Sequence, residues 1–222
     1  MKLRGVQFGE YRTADDWGLT MNEKTTAPPT PKTNYVSVPG RDGDLDFTAS
    51  LNGVVHYQSR AASFVFIATE GTHAERVELI TKIIGALHGK QLKIIDLDDD
   101  PDYYMTGRLS VVDVASNNAY SVIKINAVCD PWRYANHDTV KKVTVSNSTR
   151  VVLLSNRGYK FINPTVTVEG SGSSVTLTYG TTSKLLTAGS YKFPDFRFSP
   201  GVNSITVSGT GDVTISFREA IF

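Results

Sequence analysis

The sequence predicts a mainly β protein in two parts, an N-terminal β domain carrying one α-helix and a C-terminal β-sandwich. Three observations predict it. Short runs in which β-branched and aromatic residues alternate with polar ones recur between Gly, Asn, Asp and Pro punctuation along most of the chain. One stretch alone, residues 72–89, has helical periodicity. The composition also shifts after Asp130-Pro131-Trp132, where acidic residues thin out and Ser and Thr rise. A chain of 222 residues, 40% hydrophobic and 20% charged, is long and apolar enough to close two small cores without disulfide staples.

Taking the elements in order, Ala27-Pro28-Pro29-Thr30-Pro31 lacks ladder donors and favours an extended polyproline path, which reads as a projecting loop. Ser63 to Thr69 puts Phe64 and Phe66 on one face and Val65 and Ile67 on the other, a strand expected to be covered on both sides. Thr72 and Glu75 have capping-box spacing. The stripe Val77, Ile80, Ile83, Ile84 and Leu87 then predicts a helix over about 73–88, ended by Gly89 and lying across a sheet. Strands follow at Gln91–Leu97, Met105–Val114 and Tyr120–Val128, joined by an Asp/Pro turn at 98–102 and an Asn117–Asn118 turn. A boundary near residue 134 divides residues 1–133 from 134–222. Beyond it, strands at 140–145, 149–154, 165–169, 174–179, 190–196, 204–208 and 212–218 have sandwich spacing. The Gly/Ser-rich stretches at 170–174, 200–203 and 209–212 are expected to be its turns.

Charge and motif content argue against several functions. Lys plus Arg is 23 and Asp plus Glu is 22, so no overall field draws in polyanions or anionic lipid. Residues 1–133 carry 14 basic against 17 acidic side chains, and residues 134–222 carry 9 against 5. Cys129 is the single cysteine, so no intrachain disulfide forms. Lys2 and Arg4 are not followed by an apolar stretch of signal-peptide length, and no run approaches the roughly 18 apolar residues of a membrane span. The expectation is a protein without signal peptide or membrane segment.

The densest carboxylate cluster, Asp96, Asp98, Asp99, Asp100 and Asp102, is the strongest candidate for a hard cation. Counted as a calcium loop from Asp96, however, it puts Pro101 where Gly must turn and Gly107 where a bidentate Glu is required, so a solvated acidic turn is expected and no metal. His56, His73, His88 and His137 are scattered without ligand spacing. No nucleophile elbow, phosphate loop or dinucleotide fingerprint occurs, and no cofactor or catalytic residue is expected. The 22 acidic residues offer many glycosidase-like pairs and no reason to choose one. In the second domain, Tyr159, Tyr179, Tyr191, Phe193, Phe196 and Phe198 are weighed as sugar-stacking rings, but most alternate with polar residues as core positions do. Trp132 lies at the boundary.

Several of these residues carry a resemblance. Asp16-Trp17-Gly18-Leu19, then Lys32-Thr33-Asn34-Tyr35-Val36 running into Val38-Pro39-Gly40-Arg41-Asp42-Gly43, then Leu45-Asp46, resembles the opening of distal tail proteins of long-tailed phages of Gram-positive hosts. Tyr57, Arg60, the Ser63–Phe66 strand, Leu87-His88-Gly89-Lys90, Tyr103-Tyr104, Gly107-Arg108 and Asp130-Pro131 continue it. The second domain resembles the family through Asn156-Arg157-Gly158, Asn163-Pro164, Pro200-Gly201-Val202-Asn203 and a closing Gly209-Thr210-Gly211 hairpin. The resemblance implies a split β-barrel-like first domain with one helix and a galectin-like sandwich. The sandwich would lack a galectin sugar site, because no Trp follows 132 and no His follows 137. It further implies a homohexamer, as single or stacked rings, at the tail tip of a virion made in the host bacterial cytoplasm. Its partners would be the tail tube protein, a tail-associated host-contact protein and a receptor-binding protein, with DNA passing through the channel unbound. A glycan-binding module of an adhesion device is the alternative, and a tail-associated hydrolase the third hypothesis.

Overall fold

The computed structural model describes residues 5–50 and 53–222. Lys2 and Arg4, read above for a targeting signal, lie outside the described residues. The fold divides into two units, one running to Arg133 and including Phe222, the other Tyr134–Ile221.

The first unit contains β1 (Val6–Phe8), β2 (Tyr11–Arg12), β3 (Thr20–Thr26), β4 (Tyr35–Ser37), β5 (Asp44–Asp46), β6 (Arg60–Ala68), α1 (His73–Leu87), β7 (Gln91–Asp96), β8 (Asp100–Ser116) and β9 (Ser121–Cys129). Seven of its strands form an antiparallel sheet in the order β2-β1-β7-β8-β9-β6-β3. In a flat sheet β1 and β6 would stand four strand spacings apart, about 19 Å. Instead Phe8 on β1 packs edge-on against Phe64 and Phe66 on β6, at ring-centroid distances of 5.5 and 6.2 Å. Lys24 on β3 likewise reaches an ion pair with Asp96 on β7. The sheet is therefore curled on itself into a split barrel, closed by side chains where no ladder closes it. Inward residues of five strands and of α1 form one core, each large side chain contributing about 1.5–3 kcal/mol by burial.

Helix α1 starts on the predicted capping box: Glu75 N–H donates to Thr72 Oγ1, and Thr72 N–H donates to the Glu75 carboxylate at 2.7 Å. Its buried face is Arg76, Ile80, Ile83 and Leu87, while Val77 and Ile84 are exposed. The predicted stripe was thus rotated by part of a turn. An i, i+4, i+7, i+11 face is what the helix presents to β8 and β9, and its first place is filled by an arginine whose charge is spent on hydrogen bonds. On β6, Phe64 and Phe66 are buried as expected, but Val65 and Ile67 are only half-buried, so the second face is not fully covered.

The proline-rich segment is not the projecting loop. Ala27 N–H donates to Ala61 O, Gln58 N–H to Thr30 O and Lys32 N–H to His56 O, and Pro31 bridges Tyr57. Residues 27–32 run extended beside 56–61, because the flanking Ala27 and Lys32 keep their N–H donors and the Thr30 carbonyl still accepts. What projects is the chain beyond them, the hairpin of β4 and β5.

The second unit contains β10 (Arg133–Ala135, whose first residue belongs to the first unit), β11 (Thr139–Asn156), β12 (Thr165–Tyr179), β13 (Thr182–Leu186), β14 (Gly189–Lys192), β15 (Gly201–Phe217) and β16 (Ala220–Ile221). Its sheet has the order β11-β15-β12-β13, with β14 paired to β12 as well. Six of the predicted strands prove to be halves of three long ones: 140–145 and 149–154 of β11, 165–169 and 174–179 of β12, 204–208 and 212–218 of β15. The glycine-rich stretches between them are bends inside strands, not chain reversals, and the expected Gly209-Thr210-Gly211 hairpin is a kink in β15. Ladder pairing continues past it: Val145 faces Gly211 and Ser148 faces Gly209, while Glu169 faces Asp212 and Ser174 faces Thr210. The bulges of β11 and β12 thus flank the β15 kink on either side. Gly209 has φ +110°, and a Cβ there would lie 2.2 Å from Ser174 O, so only glycine allows the three strands to bend together. Inward residues from both halves, including Val145, Val152, Val168, Leu177, Ile205 and Ile215, share one core. One sheet folded across its line of bulges thereby makes two layers.

Candidate interaction surfaces

The acidic turn is ion-paired, and only partly solvated. Lys24 bridges Asp96 and Asp99, Arg133 pairs with Asp100, and Asp98 accepts the Gly5 N–H at 2.9 Å. Burial alone would lower the Lys24 ammonium, but its hydrogen bonds to Asp96 and Asp99 and their charges hold its pKa above the ordinary value. Burial pushes the Asp100 carboxyl up, with Arg133 opposing and the charges of Asp96 and Asp102 adding. Among the described residues no group of three or more His, Cys, Asp or Glu side chains is placed to hold a metal ion. The cations that hold the turn are contributed by β3 and by Arg133, remote in sequence and invisible to local pattern.

His73 lies within 3.3 Å of Asn117 O and Ser116 Oγ, and His88 accepts the Val111 N–H at 3.1 Å. Each serves local structure. Of the six aromatic residues weighed for sugar stacking, Phe196 and Phe198 are fully buried and Tyr179, Tyr191 and Phe193 pack against the same core. Tyr159 alone is exposed, at 61%, and one exposed ring is not a stacking platform. Cys129 is buried, which pushes its thiol pKa to about 11 and leaves it inert as a nucleophile near neutrality.

The residues of the tail-protein resemblance fall in three places. Trp17 and Gly18 close the turn after β2, where Trp17 stacks on Tyr11 at 5.2 Å and Gly18 N–H donates to Ala14 O. Asn34, Tyr35, Pro39, Gly40, Arg41 and Gly43 make up the projecting hairpin: Asn34 is tied to Thr48 and Phe47 at its base, and residues 38–43 form its tip. Gly107, Arg108, Asp130 and Pro131 gather where β8 meets the end of β9. There a Cβ at Gly107 would strike Cys129 Sγ at 2.6 Å, Arg108 donates to Gly89 O, Asp130 N–H donates to Thr106 O, and Pro131 O accepts from Arg60. Beside this cluster, Tyr57, Trp132 and Phe222 pack ring on ring, with Trp132 and Phe222 stacked at 4.6 Å. Phe222 was not expected in the first unit, and no pattern in a terminal aromatic announces it.

The hairpin exposes several apolar side chains of the first unit. All residues from Pro31 to Asp44 are exposed, among them Tyr35 at 58%, with Phe47 at 41% beside them. A two-stranded ribbon is marginal on its own in water. Asp42, Asp44 and Asp46 are exposed on it beside the apolar side chains.

No protein-family model matches the sequence, and neither does any curated protein. Among solved structures, the chain is similar to the crystal structure of the SPP1 Dit (gp 19.1) protein, described as a paradigm of the hub adsorption apparatus in Gram-positive infecting phages. The TM-score is 0.70 at 13% sequence identity, over 96% of this chain and 98% of that one. A curled, helix-bearing sheet followed by a folded sandwich, matched over nearly the whole of both chains, gives this protein the fold of the SPP1 Dit protein.

Proposed function

We propose that this chain is a structural subunit of a phage tail tip, a distal tail protein whose six copies close into a ring, single or stacked, between the tail tube and the host-contact components. The observation that carries the reading is the fold likeness to a phage hub protein over nearly the full length of both chains. The role is scaffolding without turnover. The chain would reside in the virion, with the tail tube protein, a host-contact protein and a receptor-binding protein as neighbours and a galectin-like second domain facing outward.

The physics of a ring supports it. Head-to-tail closure requires one surface of a subunit to match a different surface of the next. The projecting hairpin, with Tyr35, Val36, Val38 and Phe47 in water, is an element whose burial against a neighbouring copy is favourable. A first domain carrying 14 basic against 17 acidic side chains makes few phosphate contacts with DNA in transit. Native mass spectrometry and negative-stain electron microscopy of the purified chain test the proposal. Six-fold rings are expected, and a protein that stays monomeric at high micromolar concentration would overturn it.

A further inference from the structure

We propose that the open edge of the second unit is a docking site for an extended acidic segment of a partner polypeptide, which adds to β11 as a further strand. β15 occupies one side of β11 along both of its halves, and among the described residues no strand occupies the other side. Alternate N–H and C=O groups along 18 residues therefore face outward without a backbone partner. Strands are usually about 5 to 6 residues long, and an unpaired edge of such length is a template for strand addition. Because β11 folds at its bulge between Val145 and Ser148, the edges of its two halves border one groove of roughly 540 Å³. Val143 and Val152 are buried at its floor, and Lys141, Lys142 and Arg150 are exposed around it.

Charge selects the occupant. Residues 139–156 contain these three cations and no carboxylate. Asp212, on the neighbouring β15, is engaged by the Thr144 hydroxyl. Two copies pairing edge to edge through β11 would set cations against cations, which disfavours a homotypic dimer. An acidic strand meets the opposite situation, gaining the ladder and the ion pairs together. Side-chain alternation refines the fit. Val151 and Leu153 lie on the outer face, 65% and 64% exposed, while Arg150 lies on the other parity beside the buried Val152 and Leu154. A segment alternating apolar and acidic residues presents the first to Val151 and Leu153 and the second to Arg150 and to Lys141, which shares the parity of the buried Val143, while Lys142 on the outer parity adds to the positive field. Nothing in this fit depends on ring formation.

Fluorescence anisotropy of a labelled decapeptide alternating valine and aspartate, titrated with the full chain, tests the proposal. Saturable binding is expected, weakening with added salt and falling about tenfold or more in the triple variant Lys141→Glu, Lys142→Glu, Arg150→Glu. A peptide N-methylated at the amides of one edge should lose binding to the unaltered protein, a control free of any folding defect in a variant. Absence of saturable binding would overturn the proposal, since the cations would then serve only to keep the edge unpaired. Equal binding of the N-methylated peptide or of inorganic polyphosphate would also overturn it, as attraction of charge alone. A dimer of the unaltered chain that the triple variant abolishes would assign the edge to self-pairing instead.

Discussion

Replacing Arg76 by alanine should cost the first unit about 3 kcal/mol, a magnitude that follows from its hydrogen bonds. The side chain enters from the first turn of α1 and is 2% exposed. It donates to Gly71 O at 2.6 Å, Asn117 O at 2.8 Å, Asn118 O at 3.0 Å and Ser121 Oγ at 3.3 Å. One guanidinium therefore ties the loop before α1 to the turn between β8 and β9. Bonds to a charged donor contribute about 1.5–3 kcal/mol each, and a simple sum would exceed the stability of many domains. Gly71, Asn117 and Asn118 are exposed, so water replaces the guanidinium at those carbonyls, and the main losses are the Ser121 contact, the packing of the arginine stem and the fixed turn. Urea unfolding followed by tryptophan fluorescence isolates the effect, because both tryptophans, Trp17 and Trp132, lie in the first unit. Hydrogen exchange should speed up at residues 115–121 before it does elsewhere. A loss below about 1 kcal/mol, or exchange unchanged in that turn, would show that the network is a surface decoration and refute the reasoning.

Three further outcomes follow from the geometry. Gly209→Ala should destabilise the second unit by about 3 kcal/mol or more, since φ +110° and a 2.2 Å approach to Ser174 O both oppose a side chain; the far-UV circular dichroism transition should fall to lower urea while the tryptophan transition stays in place. Stability should decline in alkali as Cys129 ionises: its folded pKa lies above the ordinary 9.0, so its contribution is full below that value and lost as pH rises through about 11. The loss attributable to the thiol is about 2 to 3 kcal/mol, and Cys129→Ala should flatten the stability–pH curve over that interval while Lys24 still adds a slope in the same direction. The double variant Tyr35→Ser, Phe47→Ser should abolish ring assembly, read by native mass spectrometry, and leave the urea midpoint of the tryptophan transition within about 0.5 kcal/mol of the unaltered chain.

Local chemistry made much of this protein legible before folding. The Thr72/Glu75 box, the helix it opens, the antiparallel run of β6 to β9 and the Asn117 turn all depend on residues a few positions apart, and so they leave periodic or punctuated signals. What the sequence could not determine was set by partners distant along the chain. Arg76 took a core position because carbonyls some 40 residues away accepted its charge. The proline-rich segment was held flat by residues 56–61, which left the following hairpin to project. The glycines at 209 and 211 read as a hairpin, because a kink and a reversal use the same backbone freedom; only the presence of bulges on β11 and β12 at the same level made them a fold line. Alternation of side chains is dictated within a strand, but which edge stays open, and where a strand bends, is a property of the whole sheet.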